Sequence, residues 1–229
     1  MTTPVEASTV VDAFELQAKV KDMYRAVAEE PHGSYHFELG RDLAERLGYP
    51  AEMLDQIPTG AVESFAGVGY FFDLAGLKEG DEVLDLGSGS GMDVFLAAIQ
   101  VGPAGRVVGV DMTPEQLDKA DRILVETGAS HVSFTEGYID DLPFPDASFD
   151  AVISNGVINL SVDKRKVFAE AARVLRPEGR LAIADIVARS SSAPRSWPTP
   201  TCGPHASVAP PNRMHISVPS RAAGCDSSS

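Results

Sequence analysis

The chain is poor in cysteine, in basic residues and in long apolar runs, and each shortage excludes a class of protein. Only two of its 229 residues are cysteine, Cys202 and Cys225, and both fall within the last thirty. That excludes a disulfide framework, and any cysteine-built zinc site in the body of the chain. Lys and Arg number 19 against 33 Asp and Glu, a formal net charge of −14. A polyanion partner needs a basic face, so nucleic acid is not an expected partner. No stretch approaches the roughly 18–20 apolar residues of a membrane span, so no membrane partner is expected. The opening residues, MTTPVEASTVVD, carry neither a basic nor an apolar leader region. Together these features predict a cytoplasmic protein.

What is present divides the chain into three parts. Residues 1–76 read as a helical cap region: Val10, Phe14, Val20, Met23, Tyr24 and Val27 fall near helical spacing and stop before Pro31. Further helical stretches are expected over 38–47 and 51–56. Phe65, Tyr70, Phe71 and Phe72 form an aromatic cluster after them. Residues 77–188 alternate apolar strands, expected at 82–87, 106–111, 132–137, 149–155 and 180–187, with helices at 93–100, 114–126 and 163–175. Thr113 is the expected side-chain cap of the helix that opens at Pro114. Apolar strands separated by helices predict an α/β fold, a Rossmann-like doubly wound and mainly parallel sheet with right-handed crossovers. Residues 189–229 hold ten serines, seven prolines and no apolar periodicity. That composition predicts disorder, and it reads either as a natural tail or as the product of a shifted frame or truncation.

The most informative stretch is VLDLGSGSGMDVFLAA, residues 83–98. An apolar strand ends at an acid, Asp85, and Gly87, Gly89 and Gly91 follow at alternate positions before a helix begins. The dinucleotide fingerprint G-x-G-x-x-G is not satisfied, because Met92 stands three residues after Gly89. The phosphate loop that needs Gly-Lys-Ser/Thr is absent too. A turn of this kind offers backbone N–H groups to an anionic group, here better a carboxylate than a pyrophosphate. Asp111 closes the next strand 26 residues after Asp85, where an acid can accept both hydroxyls of a ribose. Ile139 and Asp140 follow the third strand, offering an apolar face and an acceptor suited to adenine. Asn155 closes the fourth. All lie at the carboxyl ends of strands, where open α/β sheets bind ligands. His32 and His36 flank Gly33 with no third ligand nearby, so no metal is expected. Tyr24 and Tyr70 read as core or lid packing.

These motifs resemble those of the class I S-adenosylmethionine-dependent methyltransferases. DLGSGSG is similar to the family's first motif, VGVDMTPEQL to its second, LPFPDASFDAVIS to its third and fourth, and RVLRPEGRLAIADIV to its fifth strand with the preceding turn. Within that class, ESFAGVGYFFDLAGLKEGDEVLDLGSG and AVISNGVINLSVDK resemble arsenite methyltransferases and their relatives. The resemblance implies S-adenosylmethionine as cofactor and a small-molecule methyl acceptor. By position it assigns Asp85, Gly87, Ser88, Gly89 and Gly91 to the methionine part and Asp111 to the ribose, with Met112 beside the adenosine. Ile139 and Asp140 fall at the adenine, and Asn155 near the sulfonium. No catalytic triad is expected, since orientation and exclusion of water supply most of the catalysis in such a transfer.

Two departures qualify the narrower resemblance. Arsenite methyltransferases hold trivalent arsenic with cysteine thiolates, and here Gly156 and Ser161 stand at the candidate places. A complete class I fold also continues past the fifth strand, and the tail offers no such pattern, so the C-terminal strands are expected to be missing. A cofactor-binding protein without turnover is the alternative reading that both departures leave open.

Overall fold

The computed structural model describes residues 13–186. The serine- and proline-rich tail, with the frame and missing-strand expectations attached to it, lies outside the described residues.

Five strands form one parallel sheet: β1 (Glu82–Leu86), β2 (Arg106–Asp111), β3 (Val132–Glu136), β4 (Phe149–Asn155) and β5 (Leu175–Ala184). Their spatial order is β3-β2-β1-β4-β5. β1 pairs β2 from Glu82 opposite Arg106 and pairs β4 from Val83 opposite Ala151. The chain therefore winds outward from β1 in one direction and from β4 in the other. The crevice between the carboxyl ends of β1 and β4 is the topological switch point, the place where such sheets bind ligands. β5 opens five residues earlier than the sequence pattern suggested. Leu175 pairs with Phe149, a register shift follows, and Arg180 pairs with Ala151. The Arg-Pro-Glu-Gly turn within it is absorbed as this irregularity, with Glu178 at φ 66°.

The crossover helices are α6 (Met92–Val101), α7 (Pro114–Thr127) and α8 (Lys164–Val174). α6 is buried from Met92 to Ala98 because it is covered on both sides. The sheet lies beneath it, and the N-terminal helices α2 (Gly40–Arg46), α3 (Ala51–Leu54), α4 (Thr59–Glu63) and α5 (Phe72–Ala75) share its core, while α1 (Ala13–Glu29) packs against α7. The aromatic cluster is part of this core: Tyr49 stands edge-on to Phe65 at 5.3 Å and to Tyr70 at 5.1 Å, and Phe71 stacks on Phe72 at 5.0 Å. The other face packs Leu84, Leu86, Val108, Val110 and Val152 against α8 through Val167, Ala171 and Val174.

Charges are segregated along the strands. At the amino ends, the Asp150 carboxylate accepts from the Glu82 N–H at 2.9 Å and from Arg176 at 2.6 Å, tying β1, β4 and β5 together. At the carboxyl ends Asp85, Asp111 and Asp140 edge the crevice, and among the described residues no basic side chain lines it. Thr113 is not the cap the sequence suggests: its side chain makes no capping hydrogen bond, and its own N–H is capped by Asp111 Oδ1 at 2.8 Å.

Candidate functional site

A cavity of about 290 Å³ opens at the switch point. Of the ten residues singled out from sequence, Asp85, Gly87, Ser88, Gly89, Asp111, Met112, Ile139, Asp140 and Asn155 all line it. Gly91 does not. Its φ of 94° begins α6, and a Cβ there would lie 2.7 Å from the Phe134 ring. Gly91 thus allows the loop to close onto β3. Gly87, at φ 71°, has the matching role on the other side, where a Cβ would approach Val157 to 2.5 Å.

The backbone amides of this loop are less available than the sequence implied. Gly87 and Ser88 donate to the Val110 carbonyl, Gly91 donates to that of Ser88, and Gly89 donates to Asp111 Oδ2 at 2.9 Å. Asp111 is thereby oriented twice, by Gly89 and by Thr113 at 2.8 Å. A carboxylate with two such donors still has acceptor sites left for a ligand. Burial raises the Asp111 pKa, against these two N–H groups.

Asp85 is the most exposed to consequence of the three neighbouring acids, because it is only 3% accessible and has no hydrogen-bond partner among the described residues. Burial, then the charges of Asp93 and Asp111, push its carboxyl well above the ordinary range. A buried, unpaired carboxylate in a cavity wall fits a cationic ligand group, which would relieve both the desolvation and the repulsion.

Asp93, in the first turn of α6, belongs to a network that spacing alone does not reveal. Tyr49 donates its hydroxyl to Asp93 Oδ1 at 2.7 Å, and Asn155 Nδ2 donates to Oδ2 at 3.0 Å. Burial pushes the Asp93 pKa up to about 6, with Asn155 and Tyr49 opposing. The Asn155 amide also donates to Tyr49 Oη at 2.9 Å and to the Gly69 carbonyl at 3.1 Å. Its Oδ1 accepts from the N–H groups of Val68 at 2.8 Å and Gly69 at 3.3 Å. The side chain expected beside a ligand's sulfonium is therefore fully engaged within the protein. It clamps the 67–69 segment to the end of β4, and Gly67 of that segment lines the cavity.

The N-terminal cap closes the other wall. Gln17, Val20 and Tyr24 of α1 line the cavity. Gln116, 1% accessible, holds α1 in place: its Nε2 donates to the Tyr24 carbonyl at 2.8 Å while its Oε1 accepts from Ser90 Oγ at 2.5 Å. The Tyr24 phenol is raised by burial and by the charge of Asp111. Tyr70 does not line the cavity; its hydroxyl donates to Asp73 at 3.1 Å. Facing β4, the wall is formed by Phe65, Val157, Leu160, Ser161 and Val162. The described residues contain no cysteine, so this wall offers no thiolate. They also contain no cluster of His, Cys, Asp and Glu able to hold a metal, and no helix long and apolar enough to cross a membrane.

Comparison with known proteins agrees with this architecture. An arsenite methyltransferase of Halobacterium salinarum is 48% identical over 144 residues, 63% of this chain and 37% of the relative. The arsenite methyltransferase of Aquipseudomonas alcaligenes is 50% identical over 119 residues, 49% of this chain and 34% of the relative. The chain thus spans about a third of the length of these curated relatives. Among solved structures, an arsenic(III) S-adenosylmethionine methyltransferase from Chlamydomonas reinhardtii superposes with a TM-score of 0.55 at 44% identity, covering 59% of this chain and 48% of that one. The family model described as a methyltransferase domain matches residues 77–210, from the residue before the first strand's approach into the serine- and proline-rich segment. With more than half its length matched in this way, the chain belongs to the methyltransferase domain family.

Proposed function

We propose that the chain binds S-adenosylmethionine in the switch-point cavity and transfers its methyl group to a small-molecule acceptor. The observation that carries this reading is Asp85, a buried carboxylate without a hydrogen-bond partner, set in a cavity beside the glycine turn and a second oriented acid, Asp111. S-adenosylmethionine supplies an electrophilic methyl on a sulfonium and a zwitterionic amino acid end, so it brings cationic groups to a wall of acids. In this reading Asp111 accepts the ribose hydroxyls, Ile139 and Asp140 flank the adenine, and Met112 lies against the adenosine. Asp85 and the turn at Gly87, Ser88 and Gly89 face the methionine part. Gly91 shapes the turn without contact, and Asn155 is a positioning residue acting through the 67–69 segment.

The protein's work in such a reaction is alignment and exclusion of water. α1 covers the cavity through Val20 and Tyr24, and Phe65, Val157, Leu160 and Val162 give the acceptor side an apolar lining. A nucleophile held there in line with the methyl–sulfur axis needs little proton transfer. Trivalent arsenic held by thiolates is not the acceptor this wall fits, since Ser161 is the polar side chain it offers and a hydroxyl is a poor ligand for a soft centre.

Titration of the purified chain with S-adenosylmethionine by calorimetry tests the reading. Saturable binding is expected, with Asp111→Ala weakening it at least tenfold, because charge-assisted hydrogen bonds are worth about 1.5–3 kcal/mol. A folded chain that binds NADH and not S-adenosylmethionine would overturn it.

A further inference from the structure

We infer that Lys119, acting through the Ser64 hydroxyl, supplies the positive charge that recognises the carboxylate of a zwitterionic cavity ligand. The inference rests on the S-adenosylmethionine reading above and adds to it the partner of the ligand's acid group.

An amino acid end carries both signs of charge, and the cavity wall carries one. Asp85, Asp93, Asp111 and Asp140 line the cavity, and among the described residues no Lys, Arg or His does. A ligand carboxylate facing this wall finds neutral donors but no opposite charge. One basic side chain reaches a lining side chain from behind: Lys119 Nζ donates to Ser64 Oγ at 2.7 Å. Lys164, by contrast, is exposed and bonds the backbone carbonyls of Asn159 and Ser161 at 3.3 Å from outside.

Ser64 is 7% accessible and lines the cavity. Its oxygen accepts the lysine proton, and its own hydroxyl proton has no acceptor among the described residues. That donor is free for a cavity ligand, and the ammonium behind it strengthens the donation. The placement suits the amino acid end. Lys119 lies one turn beyond Gln116 on the same face of α7, and Gln116 bonds Ser90 of the glycine turn. Ser64 and Ser90 of that turn are thus both tied to α7, and both line the cavity. Burial lowers the Lys119 pKa, with Glu63 opposing and Arg122 assisting, so the ammonium lies in a partly dry site that an anion would favour. Asp85 then serves the ammonium and the Ser64–Lys119 pair the carboxylate of the same ligand.

The test compares two ligands that differ only in the carboxylate: S-adenosylhomocysteine and its decarboxylated analogue, S-adenosyl-3-thiopropylamine. Calorimetry on wild type, Lys119→Met and Ser64→Ala measures both, with thermal melts confirming that each variant is folded. The expected result is that Lys119→Met weakens S-adenosylhomocysteine about tenfold or more and changes the analogue less than about twofold, in line with the worth of a hydrogen bond to a charged group. Ser64→Ala should show the same selectivity, and Lys119→Arg should recover part of the loss. Equal losses for both ligands, or none, would overturn the inference while leaving the cofactor reading intact. A folded wild type that binds neither ligand would overturn both.

Discussion

Replacing Asn155 with alanine separates two accounts of this residue. If it were a ligand contact only, the change would spare the apo protein's stability. The structure instead gives its amide bonds to Asp93, Tyr49, Val68 and Gly69. Truncation leaves Oδ2 of Asp93, a residue 5% accessible, without its 3.0 Å donor, and leaves the Val68 N–H without its 2.8 Å acceptor. Stranding a buried polar partner costs about 1–3 kcal/mol each. The Gly69 contacts, at 3.1 and 3.3 Å, are weaker and add less. The expected loss is therefore about 2–5 kcal/mol, a fall in Tm of about 5–15 °C for a chain of this size. Asn155→Asp gives a second test, because it keeps the acceptor for Val68 but sets a carboxyl against Asp93. That variant should lose more stability at pH 8 than at pH 5. Urea unfolding of the ligand-free proteins reads both. Variants within about 0.5 kcal/mol of wild type at both pH values, the ordinary range of a neutral surface change, would refute the clamp.

Two further outcomes follow from the acids and the missing thiols. Asp93 titrates near 6 in the folded protein, above its ordinary value of 3.8, so the folded state binds the proton more tightly between those values. Its stabilising contribution is present at low pH and lost as pH rises toward 6. Relative to Asp93→Asn, the wild type should therefore lose up to about 3 kcal/mol between pH 4 and 7, at about 1.4 kcal/mol per pH unit; a flat difference in paired urea titrations would contradict the buried-acid account. Incubation with S-adenosylmethionine, arsenite and a thiol should yield no methylated arsenical at a rate comparable to a cysteine-bearing relative. Turnover that survives Cys202→Ser and Cys225→Ser would show the thiol argument to be wrong.

The strands and crossover helices were legible in the sequence because a buried parallel strand must be apolar throughout, as VLDL and VVGV are, and because Pro114 and the glycines punctuate the helices. The acids at strand ends were legible for the same reason: Asp85 and Asp111 interrupt apolar runs where polarity is costly unless used. Spacing could not reveal contacts between distant segments. Tyr49 meets Asp93 across 44 residues, and Lys119 meets Ser64 across 55. Neither Tyr49 nor Lys119 belongs to a motif that would single it out. The glycine turn was read correctly as bare backbone, but its amides are spent on Val110, Ser88 and Asp111. The third glycine, Gly91, serves packing against Phe134. Asn155 shows the same limit in reverse, since its place at the end of β4 was evident and the direction of its amide was not.

Methyl transfer itself is measured most directly with S-adenosylmethionine labelled in its methyl group, incubated with the chain and a small-molecule extract. The account predicts labelled small molecules and an equal amount of S-adenosylhomocysteine, with both lost in Asp111→Ala. Binding of S-adenosylmethionine with no S-adenosylhomocysteine formed above the protein-free control, for every extract fraction, would contradict it.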